Sequence, residues 1–465
     1  MVRPYGAAAN HDEVDHPVGG ENESSALLGG VSGARVKHKQ DGHATLSSSV
    51  GNLANTIIGS GMLTFPLAMA SAGIIPGMIT CLFSGSVAAF GLYLLSHAAA
   101  KAPHRKASFF AVANMTFPKA AVFFDAAIAI KCFGVSISYL IIIKGLMPGV
   151  VKSLYHDLSS SNPPDWTLSG HNWITVFMLI LIPLSFLRNL HSLRHTSYVA
   201  LFAVAYLVLI VIVCYFRPLD GMPEKGEIAW AHITPNFIST FPVQVFAFTC
   251  AQNLFPIFNE LSSNTQRRMD IVVGSSIGAA TLTYEVIAVF GYLTFGNKVG
   301  ANIIAMYPST SLFIAVGQLA IVILVLFSYP LQVHPCRNCL DKVFHGGEVP
   351  KPDSEEEELD EAHGSSDMTP LKHALLTAGI IASGFTIAYF VDDLQMVLSF
   401  VGSTGSTTIS FILPGLFYWK LTHNDPTASK ALTRASIALA AYGVFIFIFC
   451  LSFNIYQVVK PHASG

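Results

Sequence analysis

Eleven stretches of this chain are nearly free of charge, and most hold about 20 apolar residues or more. They run over 46–72, 75–100, 119–149, 172–188, 197–216, 237–260, 271–295, 309–335, 372–391, 394–418 and 432–458. A helix rises ~1.5 Å per residue, so a run of this length crosses the ~30 Å hydrocarbon core of a bilayer. Inside lipid, backbone N–H and C=O groups must pair within the protein, which a helix does by itself. The fold expected is therefore an all-α integral membrane protein with eleven transmembrane helices. The third segment is long for one crossing and is expected to tilt. Composition agrees: 12% of the 465 residues are charged, against about 25% in a soluble domain.

The first segment contains Asn52–Pro66, NLANTIIGSGMLTFP. Its centre, Gly59-Ser60-Gly61, is poorly suited to a continuous helix, because each interior glycine costs about 1 kcal/mol relative to alanine. A broken span makes sense where the break lines a cavity. The N–H groups of the second half, starting near Met62, would then face the break with about half a positive charge, which suits a carboxylate. The alternative is that the two glycines only let neighbouring helices pack closely. The sixth segment carries a second interruption. Thr249, Gln252 and Asn253 are polar at mid-span, and Pro256 removes a backbone donor. Interrupted first and sixth helices are what an inverted five-plus-five repeat predicts, with substrate held at the midplane between the breaks.

The ends and loops fix an expected orientation. Residues 1–45 are polar and contain no apolar run, so they read as a disordered cytosolic tail preceding a transporter domain over 46–460. Within the tail, Glu23, Leu27 and Leu28 have the spacing of an acidic dileucine sorting signal, whose partner would be a sorting adaptor. Basic residues collect in the tail and in alternate loops, at Lys101, Arg105 and Lys106, at Arg267 and Arg268, and at Lys342 and Lys351. That bias puts the N-terminus in the cytosol and, with eleven crossings, the C-terminus on the lumenal side. On this topology the sequon at Asn114 is cytosolic and stays unglycosylated. The loop 338–371, with Glu355 to Glu358, is expected to be a solvated acidic cytosolic loop.

Several function classes are disfavoured. A net charge of −2 gives no electrostatic footprint for nucleic acid. No metal-ligand cluster or nucleophile elbow is found in the spans, so an enzyme is not expected and the metal expectation is none. Cys336 and Cys339 would need two further ligands to hold zinc; as juxtamembrane cysteines they are inert or palmitoylated. The seven cysteines fall mostly within apolar runs and do not form a disulfide framework.

The sequence NLANTIIGSGMLTFPLAMASAG resembles the first helix of the amino acid/auxin permease family, within the amino acid/polyamine/organocation superfamily. FTCAQNLFPIFNEL at 248–261 resembles that family's sixth helix. Its further signatures appear in order as AIKCFGVSISYLIII at 129–143, GYLTFG at 291–296, YPLQVHPCR at 329–337 and GSTGSTTISFILPG at 402–415. The likeness runs from about Ser47 to the C-terminus and is nearest to the fungal vacuolar members. It implies a leucine-transporter-like fold and proton- or sodium-coupled movement of amino acids across a vacuolar or lysosomal membrane, with no other cofactor. It also implies roles. Ile58, Gly59, Ser60, Gly61 and Met62 would hold the substrate carboxylate through backbone N–H groups. Carbonyls near Asn55 and Thr56, with Phe248, Thr249 and Cys250, would meet its ammonium. Asn55 and Ser328 stand where the animal relatives place sodium ligands. Ala251 departs from the pattern, since many members have a histidine there.

Proton coupling would then fall to ionisable groups within the spans, namely Asp125, Lys131, Lys144 and Glu285. Such groups are costly in hydrocarbon and face the bundle interior or water. Glu285 is placed for proton transfer, and Lys131 could occupy the cation site as a tethered ammonium. Their alternative is a buried structural pair or snorkelling. Asp125 and Lys144 lie nearer the span ends and are expected at the interface. Three functions remain open: a secondary amino acid transporter, an amino-acid sensor (transceptor) signalling through its tail or acidic loop, and a membrane scaffold, which the two breaks disfavour.

Overall fold

The computed structural model describes residues 42–102, 105–159, 162–187, 196–344 and 368–460. The sorting motif at Glu23, Leu27 and Leu28 lies outside these residues, as does 345–367 of the acidic loop. Among the described residues there is no strand. An isolated bridge pairs Ala44 with Leu261 and ties the entry to the first span to the end of the sixth.

Nine helices among the described residues are long and apolar enough to cross a membrane. A bent pair, Leu46–Ile57 with Ser60–Ala72, turned by 47° at its break, makes a tenth candidate if it is one span. Gly170–Ser185 is a shorter apolar helix of 16 residues, about 24 Å long. These elements stand where the eleven apolar segments were read, with shifted ends. The third span runs on to Leu158, as a helix of 38 residues from Ala121. The eighth extends to Phe344 and the ninth starts at Pro370, so the loop between them is shorter than 338–371. A further short helix, Phe109–Thr116, lies between the second and third spans and carries Asn114.

Local chemistry explains several of these ends. Thr45 caps the first span by accepting from the Ser48 amide at 3.3 Å, satisfying a donor that no helix can satisfy internally. Ser108 does the same for Phe109–Thr116, and Asp393 for the tenth span. The tenth span departs from α-geometry in its middle. Gly402–Ser406 and Thr408–Ile412 are π-helical, with the Thr407 hydroxyl donating to Gly402 O at 2.6 Å. Stretches of this kind are rare and concentrate at functional sites.

The third and eighth spans share the most extensive helix contact of the bundle. Since lipid tails are as apolar as leucine, packing and interhelical hydrogen bonds hold such a bundle together. Buried charges serve as staples here. Arg337, 1% exposed, donates from one guanidinium nitrogen to Ser185 O at 3.1 Å and to Thr377 Oγ1 at 3.0 Å, joining the fourth, eighth and ninth spans. Lys144 sits at the end of the ninth span. It is buried, and its ammonium caps the C-terminal end of the ninth span, donating to Ala388 O and, at 2.9 Å, to Val391 O, with Asp392 at 2.7 Å. A cation at a helix C-terminus is stabilised by the macrodipole.

Candidate functional site

The first break begins where Ile58 leaves the helix at φ −73°, ψ 89° and Gly59 becomes fully extended. The chain then resumes as a tight 3-10 turn, Ser60–Thr64, that leads into Phe65–Ala72. Two of the amides expected to face a carboxylate are spent on the backbone. The Ile58 N–H donates to Ala54 O at 2.9 Å, and the Met62 N–H donates to Gly59 O at 3.1 Å. The amides of Ser60 and Gly61 donate to no acceptor among the described residues, although both residues are buried. Ser60 Oγ is likewise buried without a partner.

The second break lies at Phe248–Cys250, between helices Phe237–Ala247 and Ala251–Glu260. All three residues are buried. Thr249 Oγ1 donates back to Val245 O at 2.8 Å and accepts from Ser410 Oγ of the tenth span at 3.3 Å. The carbonyls of Phe248 and Thr249 accept no hydrogen bond among the described residues. In the first span the carbonyls of Asn55 and Thr56 are open in the same way.

The two breaks are in direct contact. An ideal Cβ on Gly61 would stand 2.7 Å from Ala247 Cβ, so only glycine lets the first break lie this close to the sixth span. Below it, Asn253 Nδ2 donates to Thr56 Oγ1 at 2.8 Å, and Thr56 Oγ1 donates to Asn52 O at 2.9 Å. Asn55, Thr56, Ile58 and Gly59 keep partial exposure, as do Gln252 and Asn253, whereas Ser60 to Pro66 are buried. Access to the breaks therefore comes from the side of Leu46–Ile57 and Ala251–Glu260.

Tyr284 of the seventh span joins both breaks, and sequence reasoning missed it. Its hydroxyl lies 2.6 Å from Ile57 O and 3.0 Å from Ala247 O. These are the last residues of the first half of each interrupted span. The ring stacks on Phe65 at 4.5 Å and meets Phe248 edge-on at 5.1 Å. A tyrosine in an apolar run reads as an ordinary core aromatic, and nothing in spacing marks it out.

The coupling candidates are placed separately. Glu285, the neighbour of Tyr284, is half-buried, and both its carboxyl oxygens are buried without a hydrogen-bond partner among the described residues. Lys131 is 4% exposed, and an ideal Cβ on Gly405 would come within 2.8 Å of its own Cβ, so the third span presses on the π-helical stretch of the tenth there. Asp125 is half-buried. Ser328 is half-buried on the eighth span and forms no hydrogen bond with Asn55 among the described residues. No group of three or more His, Cys, Asp or Glu is placed to hold a metal ion among the described residues.

A family model described as transmembrane amino acid transporter protein matches residues 42–459. The chain belongs to the amino acid/auxin permease family. Vacuolar amino acid transporter 5 of Schizosaccharomyces pombe is 44% identical over 423 residues, covering 89% of this chain and 95% of that protein. Vacuolar amino acid transporter 6 of Saccharomyces cerevisiae is 34% identical, covering 88% of this chain and 98% of its own length. Vacuolar amino acid transporter 5 of the same yeast is 32% identical over 90% of this chain and its whole length. The permease match spans both breaks and every signature read from the sequence, and the family is one of transporters rather than enzymes.

Proposed function

We propose that this permease is a secondary active carrier that moves amino acids across the vacuolar membrane by alternating access around the two breaks. One observation carries the reading. Two unpaired amides, at Ser60 and Gly61, stand in one interrupted helix, and four unpaired carbonyls, at Asn55, Thr56, Phe248 and Thr249, stand in the two. A zwitterion with a carboxylate at one end and an ammonium close by is the ligand that satisfies both sets. Unpaired backbone in a membrane interior is tolerated only where protein, water or ligand completes it. The names of the relatives support an amino acid as that ligand and the vacuole as the place.

The finer reading is an eleven-span, leucine-transporter-like inverted repeat with a cytosolic N-terminus and a lumenal C-terminus. Transport is coupled to protons, through Glu285 and Lys131, rather than to sodium at Asn55 and Ser328. A tenfold proton gradient supplies about 1.4 kcal/mol, enough for tenfold accumulation of substrate at one proton per cycle. The test is reconstitution in liposomes with a panel of labelled amino acids, varying pH and sodium independently. Saturable uptake that follows the pH step is expected. Saturable binding with no flux under any gradient would overturn the carrier reading in favour of a sensor.

A further inference from the structure

The first halves of both interrupted spans end on the same atom. Ile57 O and Ala247 O are the C-terminal carbonyls of Leu46–Ile57 and Phe237–Ala247, and Tyr284 Oη lies within hydrogen-bond distance of each. A helix C-terminus carries about half a negative charge in its unpaired carbonyls. Here two of them converge on a neutral hydroxyl with a single proton, which can serve only one carbonyl at a time. The hydroxyl is fully enclosed, since Tyr284 is buried and its ring is fixed between Phe65 and Phe248. The carbonyls set aside above for a substrate ammonium, at Thr56 and Phe248, each adjoin one of this pair in the chain.

We propose that Tyr284 is a positioning residue that stands in for the substrate's ammonium in the empty carrier. Its hydroxyl holds the carbonyl ends of the two broken helices together when no amino acid is bound. A bound ammonium, with three donors against one, takes over the neutralisation of those ends. Resting on the carrier reading above, this divides the transport cycle in two. The empty carrier depends on Tyr284 to reorient with its carbonyls buried, whereas the loaded carrier depends on it far less.

The Tyr284→Phe variant removes the hydroxyl and keeps the ring that stacks on Phe65. In proteoliposomes, net uptake, which requires return of the empty carrier, should fall at least tenfold. Exchange of labelled for unlabelled substrate, in which the carrier returns loaded, should fall no more than twofold, and half-saturation should shift to lower concentration. Thermal unfolding gives a second readout that does not need flux. Without substrate Tyr284→Phe should melt below the wild type, and saturating amino acid should close most of that gap. Equal losses of net uptake and exchange, a melting gap unchanged by substrate, or net uptake at wild-type rate would each overturn the proposal. Wild-type protein that neither takes up nor exchanges any amino acid would instead remove the carrier reading on which it rests.

Discussion

The two interruptions do the same thing to the backbone by different means. The first, at Ile58–Gly59, turns its span by 47° and keeps partial exposure. An ideal Cβ at Gly59 would meet nothing nearer than Ile57 O at 3.8 Å. The second, at Phe248–Cys250, contains no glycine and is wholly buried, filled by Phe248 and tied down through Thr249. The first has space beside Gly59; the three residues of the second are all buried. Glycine content alone is therefore a poor guide to where a membrane helix breaks. A span can also be interrupted where ring packing and side-chain hydroxyls stabilise the interrupted form.

The sharpest way to break this contrast is at the contact between them. Gly61→Val places three carbons where Ala247 Cβ stands 2.7 Å from an ideal Cβ. Overpacking of a tight contact costs about 1–3 kcal/mol, here spent on separating the two breaks. Transport in proteoliposomes should be abolished while the protein still inserts and runs as a monodisperse species in detergent. Transport at wild-type rate in Gly61→Val would mean that the breaks need not touch.

The packed break should respond more mildly, through its hydroxyl network. Thr249→Val keeps the shape and removes both the bond to Val245 O and the acceptor for Ser410 Oγ. Losing a buried hydrogen bond costs about 1 kcal/mol net and more when a partner is stranded, so melting should drop and KM rise about fivefold to tenfold. A change in kcat alone, with KM unaltered, would place Thr249 in the movement rather than in the site.

Much of this was legible before any coordinates. Apolar runs of bilayer length give the spans, because backbone pairing in lipid leaves helices as the solution. The Gly59-Ser60-Gly61 cluster marks the first break, because glycine and serine are weak helix formers side by side. The second was marked only by polar residues and Pro256, which proves to lie inside the helix that follows the interruption. What was not legible is pairing across the bundle. Nothing in local sequence says that Lys144 would cap the ninth span, or that Tyr284 would meet both breaks. Which face of a buried helix meets which neighbour depends on packing, and a span apolar on all sides carries almost no periodic signal to reveal it.

The next prediction concerns the bond between the halves that border the accessible side. Thr56 Oγ1 and Asn253 Nδ2 are 2.8 Å apart. Thr56→Val, Asn253→Ala and the double variant form a cycle whose coupling should be about 1 kcal/mol in melting experiments. If the two substitutions add without coupling, the first and sixth spans are not joined there in the membrane.

The smallest effect should come from Gly59 itself, and it separates space from flexibility. Its φ of −134° is extended backbone that any residue adopts, and an added methyl group makes only an ordinary van der Waals contact with Ile57 O. Gly59→Ala should therefore fold normally, with stability raised by up to about 1 kcal/mol because the unfolded chain loses freedom. The N–H remains available, so KM should stay within about twofold, a difference of roughly 0.4 kcal/mol. If the open break works only by having room, kcat is unchanged as well. A kcat that falls while KM and melting hold would show that Gly59 must pass through conformations closed to alanine during the cycle. The first break would then be a hinge in the strict sense, and its difference from the packed second break would lie in backbone freedom rather than in surrounding space.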